Sequence, residues 1–210
     1  MDAVGGNTLN LLVNSGGDVA VDAALSLEGD VDLVAGADGA TLSLNAAVSG
    51  DELTFEADDM DLAAVAGATA VNLDSFTASN AIDLGNAADD SADVLELSSA
   101  ELDQISAPLL RSAQQIGTIA VAAAITPAGI TDLAPLHRRG IDDDTAAGSV
   151  ATTGLALGAA RSVLVGLTGV DTLAAASNAD TDISFVDGDD LAVGRSTESP
   201  ASLPGPAASR

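Results

Sequence analysis

The sequence predicts an all-β fold, a parallel β-helix (β-solenoid). Three observations carry this. Apolar–polar–apolar triplets recur along the chain, turn-forming residues separate them, and the apolar residues are small. Apolar side chains make up 47% of the 210 residues while aromatics make up only 1%. A core of Ala, Val and Leu without large rings suits the narrow interior of a coil better than a broad globular core.

In chain order the triplets are Leu9-Asn10-Leu11, Val19-Ala20-Val21, Leu25-Ser26-Leu27, Val31-Asp32-Leu33, Leu42-Ser43-Leu44 and Leu53-Thr54-Phe55. Met60-Asp61-Leu62, Val71-Asn72-Leu73, Ile82-Asp83-Leu84 and Leu95-Glu96-Leu97 continue the series. Each reads as a short strand with two residues facing in and one facing out. Gly16-Gly17-Asp18, Gly36-Ala37-Asp38-Gly39 and Ser49-Gly50-Asp51 lie between them and supply turn chemistry. Strands beginning at 9, 31, 53, 71 and 95 are separated by 22, 22, 18 and 24 residues, a spacing that fits stacked coils. A hairpin sandwich is the rival, but tight Asn-Gly or Asp-Gly hairpin turns are scarce and the triplets are short. Eight or nine coils at about 4.8 Å each would make a rod on the order of 40 Å long. The middle residues Asn10, Asp32, Ser43, Thr54, Asp61, Asn72, Asp83 and Glu96 are expected to face water.

One stretch breaks the rhythm. In DVLELSSAELDQIS (93–106), Ser98 and Glu101 have the spacing of a capping box, and Leu102 and Ile105 share a helical face. A short helical excursion is expected near 98–106. Residues 1–194 are expected to form one repeat region. Residues 195–210 read as a disordered tail, because Pro200, Pro204 and Pro206 oppose strand pairing.

Charge excludes some partners. Thirty-two acidic residues against six basic ones, all arginine, give a net charge of −26. That argues against nucleic acid and against anionic lipid. Cysteine is absent, so neither disulfides nor thiolate metal sites arise. The longest apolar run, Ile119 to Ile125, is too short to span a bilayer, and Met1-Asp2, without a basic stretch or a following apolar run, is not expected to begin a secretory signal.

The words AIDLGNAADDSADVLELSSAELDQISA (81–107), IGTIAVAAAITPAG (116–129) and VDTLAAASNADTDISFVDGDDLAVG (170–194) resemble units of large bacterial filamentous-haemagglutinin-like, β-strand-repeat surface proteins. The distinctive words lie in 81–194; the earlier region matches by pattern. The resemblance implies a right-handed parallel β-helix, forming a repeat segment of a secreted or cell-surface adhesin-like passenger, with the helical turn as a lateral excursion from one coil. It implies an outer-membrane-associated, extracellular fibre without catalytic residues. Its partners would be neighbouring repeats, or other copies meeting at the uncapped solenoid ends. Three stretches depart from the family pattern: 107–117, 133–144 and 159–169. The arginines at 111, 138, 139, 161, 195 and 210 lie in or beside these and the terminal stretch, which suggests drift or frame changes in a fragment.

Candidate chemistry is sparse. Asp58-Asp59-Asp61, Asp89-Asp90-Asp93, Asp142-Asp143-Asp144 and Asp187-Asp189-Asp190 are the acidic clusters, and calcium is the cofactor they would suit. A calcium-binding β-roll-type folding module is therefore one alternative function. GGNTLNLL (5–12) nevertheless lacks the glycine spacing of a calcium nonapeptide. In NADTDISFVDGD (178–189), Ile183 replaces the EF-hand glycine and Asp189 the bidentate Glu. Solvated surface charge is the preferred reading. His137, the only histidine, reads as a loop residue beside Arg138 and Arg139. A β-helix carbohydrate-active enzyme is a second alternative, weakened by the absence of Lys, Trp and Tyr. No catalytic, cofactor-binding or metal-binding residue is assigned, and a non-enzymatic structural segment is expected.

Overall fold

The computed structural model describes residues 9–86, 91, 93–114, 117–137, 141–142, 148–159, 162–164, 169–177, 183–185, 187 and 190–194. The first coil contains β1 (Leu11–Ser15), β2 (Val19–Val21) and β3 (Leu25–Ser26). The second contains β4 (Val31–Ala35), β5 (Thr41–Leu44) and β6 (Val48–Ser49), and the third β7 (Glu52–Glu56), β8 (Asp59–Leu62) and β9 (Ala66–Gly67). The fourth is longer: β10 (Ala70–Asp74), β11 (Ala81–Leu84), β12 (Val94–Leu97), helix α1 (Ser99–Leu102) and β13 (Ile105–Ser106). The fifth contains β14 (Leu109–Gln114), β15 (Ile119–Val121) and β16 (Ala124–Ile125). The sixth contains β17 (Asp132–His137), β18 (Ile141–Asp142) and β19 (Ser149–Val150). Beyond it come β20 (Thr152–Ala159), β21 (Ser162–Leu164), β22 (Val170–Ser177), β23 (Ile183–Phe185) and β24 (Ala192–Val193).

All described pairings are parallel, and all but β11–β12, which both belong to the fourth coil, join one coil to another. The fold is a parallel β-solenoid of about seven turns. The first face is continuous: β1-β4-β7-β10-β14-β17-β20-β22-β24. Its register sets Leu11, Val31, Leu53, Val71, Leu110, Leu133, Leu155, Leu173 and Val193 in one column. Val31 through Leu173 of that column are buried. Beside it runs Val13, Leu33, Phe55, Leu73 and then Ser112. Each fully buried Leu or Val is worth roughly 1.5–3 kcal/mol relative to exposure, so the triplet pattern supplies the core directly. The outward positions Asp32, Thr54, Asn72 and Arg111 stack in turn.

The fourth coil departs from simple climbing. On the second face the order is β12-β11-β15-β18-β21-β23, so β12 follows β11 in the chain but precedes it in the stack. Meanwhile β13 pairs with β9 of the third coil, and β10 pairs directly with both β7 and β14. The chain therefore rises to β11, steps back to β12, and resumes. The second face holds two rungs where the first face holds one. Helix α1 occupies the corner beside this extra rung. Ser99 Oγ donates to the carbonyl of Ala124 at 3.3 Å, and the Ala128 N–H to Asp103 Oδ1 at 3.4 Å, so the helical corner meets the coil above through side chains.

Several expectations change in detail. The helix spans Ser99–Leu102 only, with Ile105 already on a strand; the lateral step lies before it, between β11 and β12. The strand at 95 belongs to the second face, and the fifth rung of the first face begins at Leu109 after a 39-residue interval from Ala70. The turns number about seven rather than the expected eight or nine. Leu9 and Asn10 precede the first strand, and Leu9 is exposed. The departing stretches still make strands: β14, β17, β18 and β21 keep the parallel register. Pro135 sits within β17, and there the ladder to β20 skips Ala134 and Pro135 before resuming at Leu136, because proline has no N–H to give. The 195–210 tail lies outside the described residues.

Candidate functional site

Much of the polar chemistry sits at the corners. Asp58 follows β7 at the turn into β8. Its neighbours in the stack are the corner before β5, one coil below, and the corner after β10, one coil above. Gly39, in a left-handed conformation with φ 68°, turns its N–H toward Asp58 Oδ2 at 3.1 Å. From the other side Ser75 Oγ donates to Oδ1 at 2.8 Å, Thr77 N–H to Oδ1 at 2.6 Å, and Thr77 Oγ1 to Oδ2 at 2.6 Å. Gly39 and Thr77 each lie 19 residues from Asp58. One carboxylate thus ties three successive coils.

The side chain is buried, with the residue only 1% exposed. Burial pushes its carboxyl upward, but the hydrogen bonds from Thr77, Ser75 and Gly39 outweigh that and hold it below the usual range. Glu56, at the end of β7, is held above the usual range by its own burial and then by the Asp58 charge. The expectation that Asp58 is solvated surface charge is therefore corrected. A carboxylate offers about four lone-pair sites, and four donors fill them, which leaves little for a cation.

Other acids act likewise. Asp18 Oδ1 accepts the Thr41 N–H at 3.0 Å, and Thr41 Oγ1 donates to Asp59 Oδ2 at 2.8 Å, linking three coils along a second corner. Asn45 Nδ2 donates to Asp22 Oδ1 at 2.9 Å. Asn10 and Asp30 bond reciprocally: Asp30 N–H to Asn10 Oδ1 at 3.1 Å and Asn10 Nδ2 to Asp30 Oδ2 at 3.2 Å. Glu96, expected to face water, is buried instead. Its carboxylate accepts from Asn86 Nδ2 at 2.6 Å and from the Ser91 N–H at 2.9 Å, fastening the chain that steps back from β11 to β12. Glu101 Oε2 accepts from the Ser98 N–H at 2.9 Å, and Ser98 Oγ receives the Glu101 N–H at 3.3 Å, so the expected capping box is present.

The remaining candidates disperse. Asp61 is exposed on the second face while Asp58 is buried in the corner. Asp89, Asp90, Asp143, Asp144 and Asp189 lie outside the described residues, as do Arg138 and Arg139. Among the described residues no group of three His, Asp or Glu side chains is placed to hold a metal ion. His137 ends strand β17, its Cα opposite Gln114 and Ala159, rather than lying in a loop. Arg111 joins the outward stack: its Nη1 reaches Glu52 Oε1 at 3.2 Å and Asn72 Oδ1 at 3.3 Å. Among the described residues no helix is long and apolar enough to cross a membrane.

Sequence reasoning missed Asp58 and Glu96 as structural acids. The available signal was spacing: Gly39, Asp58 and Thr77 recur one coil apart, each just past a first-face strand. Fold and corners together define a parallel β-solenoid in which Asp18, Asp22, Asp30, Asp58, Asp59 and Glu101 serve as coil-to-coil ties. No family model matches the chain, and comparison with curated proteins and with solved structures returns no match.

Proposed function

We propose that this chain is a non-enzymatic structural repeat segment of a secreted or surface-exposed adhesin-like fibre. One observation carries the reading: Asp58 has its carboxylate oxygens facing four donors from two neighbouring coils. Such an acid holds a rod together and has little capacity left for substrate or cation. The 81–194 resemblance supplies the surface location and adhesin class, and neighbouring repeats or other copies are the natural partners of a stacked coil.

Protease shaving of intact producing cells, followed by detection with an antibody to this chain, tests location; the reading expects loss of the signal without lysis. Full protection until lysis sinks it. Circular dichroism of the purified full chain with calcium or chelator tests the structural role. The strand signal is expected in both, whereas a signal that requires calcium favours the folding-module alternative. Release of reducing ends from an acidic or neutral polysaccharide would favour the enzyme alternative.

A further inference from the structure

We propose that the Asp58 corner is an acid-labile latch: its ionised carboxylate locks three coils together, and proton uptake there opens this corner while the strand ladders stay paired. The device is independent of where the fibre resides.

The geometry makes the charge necessary. All four partners are donors: the N–H groups of Gly39 and Thr77 and the hydroxyls of Ser75 and Thr77. A protonated Asp58 would place a fifth donor among them. A hydroxyl could turn to accept it, but the two N–H groups cannot, so at least one tie weakens. These four partners are neutral, so hydrogen bonding from them holds the charge of this carboxylate.

The charged groups around the latch are acidic. Glu56 approaches from β7. Asp74, at the end of β10, stands in register with Glu56. Asp38, from the corner before β5, accepts Thr77 Oγ1 at 3.5 Å. Asp59 points to Thr41 on the neighbouring corner. Acidification therefore acts in two stages. Glu56, held above the usual range, takes its proton first, which removes a repulsion and tightens the corner. Asp58, held below that range, takes its proton after Glu56, and then the latch releases. The ladders lack this dependence because backbone hydrogen bonds do not titrate.

The release is local because backbone hydrogen bonds flank the corner, from the Ala57 N–H to the Asp74 carbonyl at 3.1 Å and from the Asp59 N–H to the Ala40 carbonyl at 3.3 Å. Phe76 is exposed and its ring lies across Gly36, where a side chain would come within 3.3 Å of Cε2. Opening would free that ring together with the two turns.

Amide hydrogen exchange on the full chain from neutral to strongly acidic pH tests this. Protection factors, corrected for intrinsic exchange, are followed at Gly39 and Thr77, with Leu53 and Val71 as ladder references. The latch predicts that Gly39 and Thr77 lose about tenfold protection or more at the acid end while the references hold. Ser75→Ala removes one donor and should move that loss to higher pH. Asp58→Asn, if it folds, should show reduced protection at every pH and no acid step. Parallel behaviour of corner and ladder amides would overturn the proposal. So would an acid step that persists in Asp58→Asn or fails to move in Ser75→Ala.

Discussion

Glu101 Oε1 accepts the backbone N–H of Leu62 at 3.3 Å, so the residue that closes the helix cap also ties α1 to β8 of the coil below. The helix is thereby anchored where the second face gains the β12 rung. A four-residue helix has no stability of its own, and its cap and its buried Leu102 must hold it.

Glu101→Ala should therefore lower stability by about 1–2 kcal/mol, the usual scale for a lost cap together with a lost backbone partner. Glu101→Gln retains an acceptor at the same reach and should cost less. Urea denaturation of the two variants beside Ser98→Ala separates cap from tie. Equal midpoints for Glu101→Ala and Ser98→Ala would remove the role assigned to Leu62.

Ser112 stands in the interior column above Leu73, and its buried Oγ has no hydrogen-bond partner among the described residues. An unsatisfied buried hydroxyl costs on the order of 1–3 kcal/mol. Ser112→Ala, which removes the hydroxyl and little volume, should raise the thermal midpoint. A fall would mean that the hydroxyl has a partner.

Gly117 and Gly16 make a matched pair. A Cβ on Gly117 would run into the carbonyl oxygen of Asn80, whereas Gly16 has nothing within 4 Å and no positive φ. Gly117→Ala should destabilise by ~2 kcal/mol or more, because backbone must move. Gly16→Ala should be neutral or stabilising by up to ~1 kcal/mol through the unfolded chain. Thermal melts of both variants decide it.

Glu56→Gln should stabilise the chain at neutral pH. A carboxyl whose folded value is raised carries a penalty wherever it is ionised in both states. The penalty shrinks as pH falls through the raised value and vanishes below the ordinary one. The advantage of Glu56→Gln should thus disappear on acidification, while Asp58→Asn should cost most at neutral pH. Chemical denaturation across pH checks both signs.

The order of turns was legible where local chemistry is sufficient. Val31-Asp32-Leu33 and Leu53-Thr54-Phe55 announce which side chains face inward, because side chains alternate along a strand whatever lies beside it. Ser98 and Glu101 announced their cap because both partners lie within one turn. The glycine turns did the same for the corners.

What the primary structure left undecided is adjacency. Ile82-Asp83-Leu84 and Leu95-Glu96-Leu97 carry the same pattern, and either would fit beside Met60-Asp61-Leu62. Only packing, with α1 tied to Leu62 and β13 paired to β9, sets β12 below β11. Adjacency also decided the fate of the acids. Asp58 and Asp61 are alike as letters three positions apart, yet one is buried among donors 19 residues away in each direction and the other faces solvent. Periodicity is a property of the strand itself, whereas burial and hydrogen bonding depend on the coil that lands next to it.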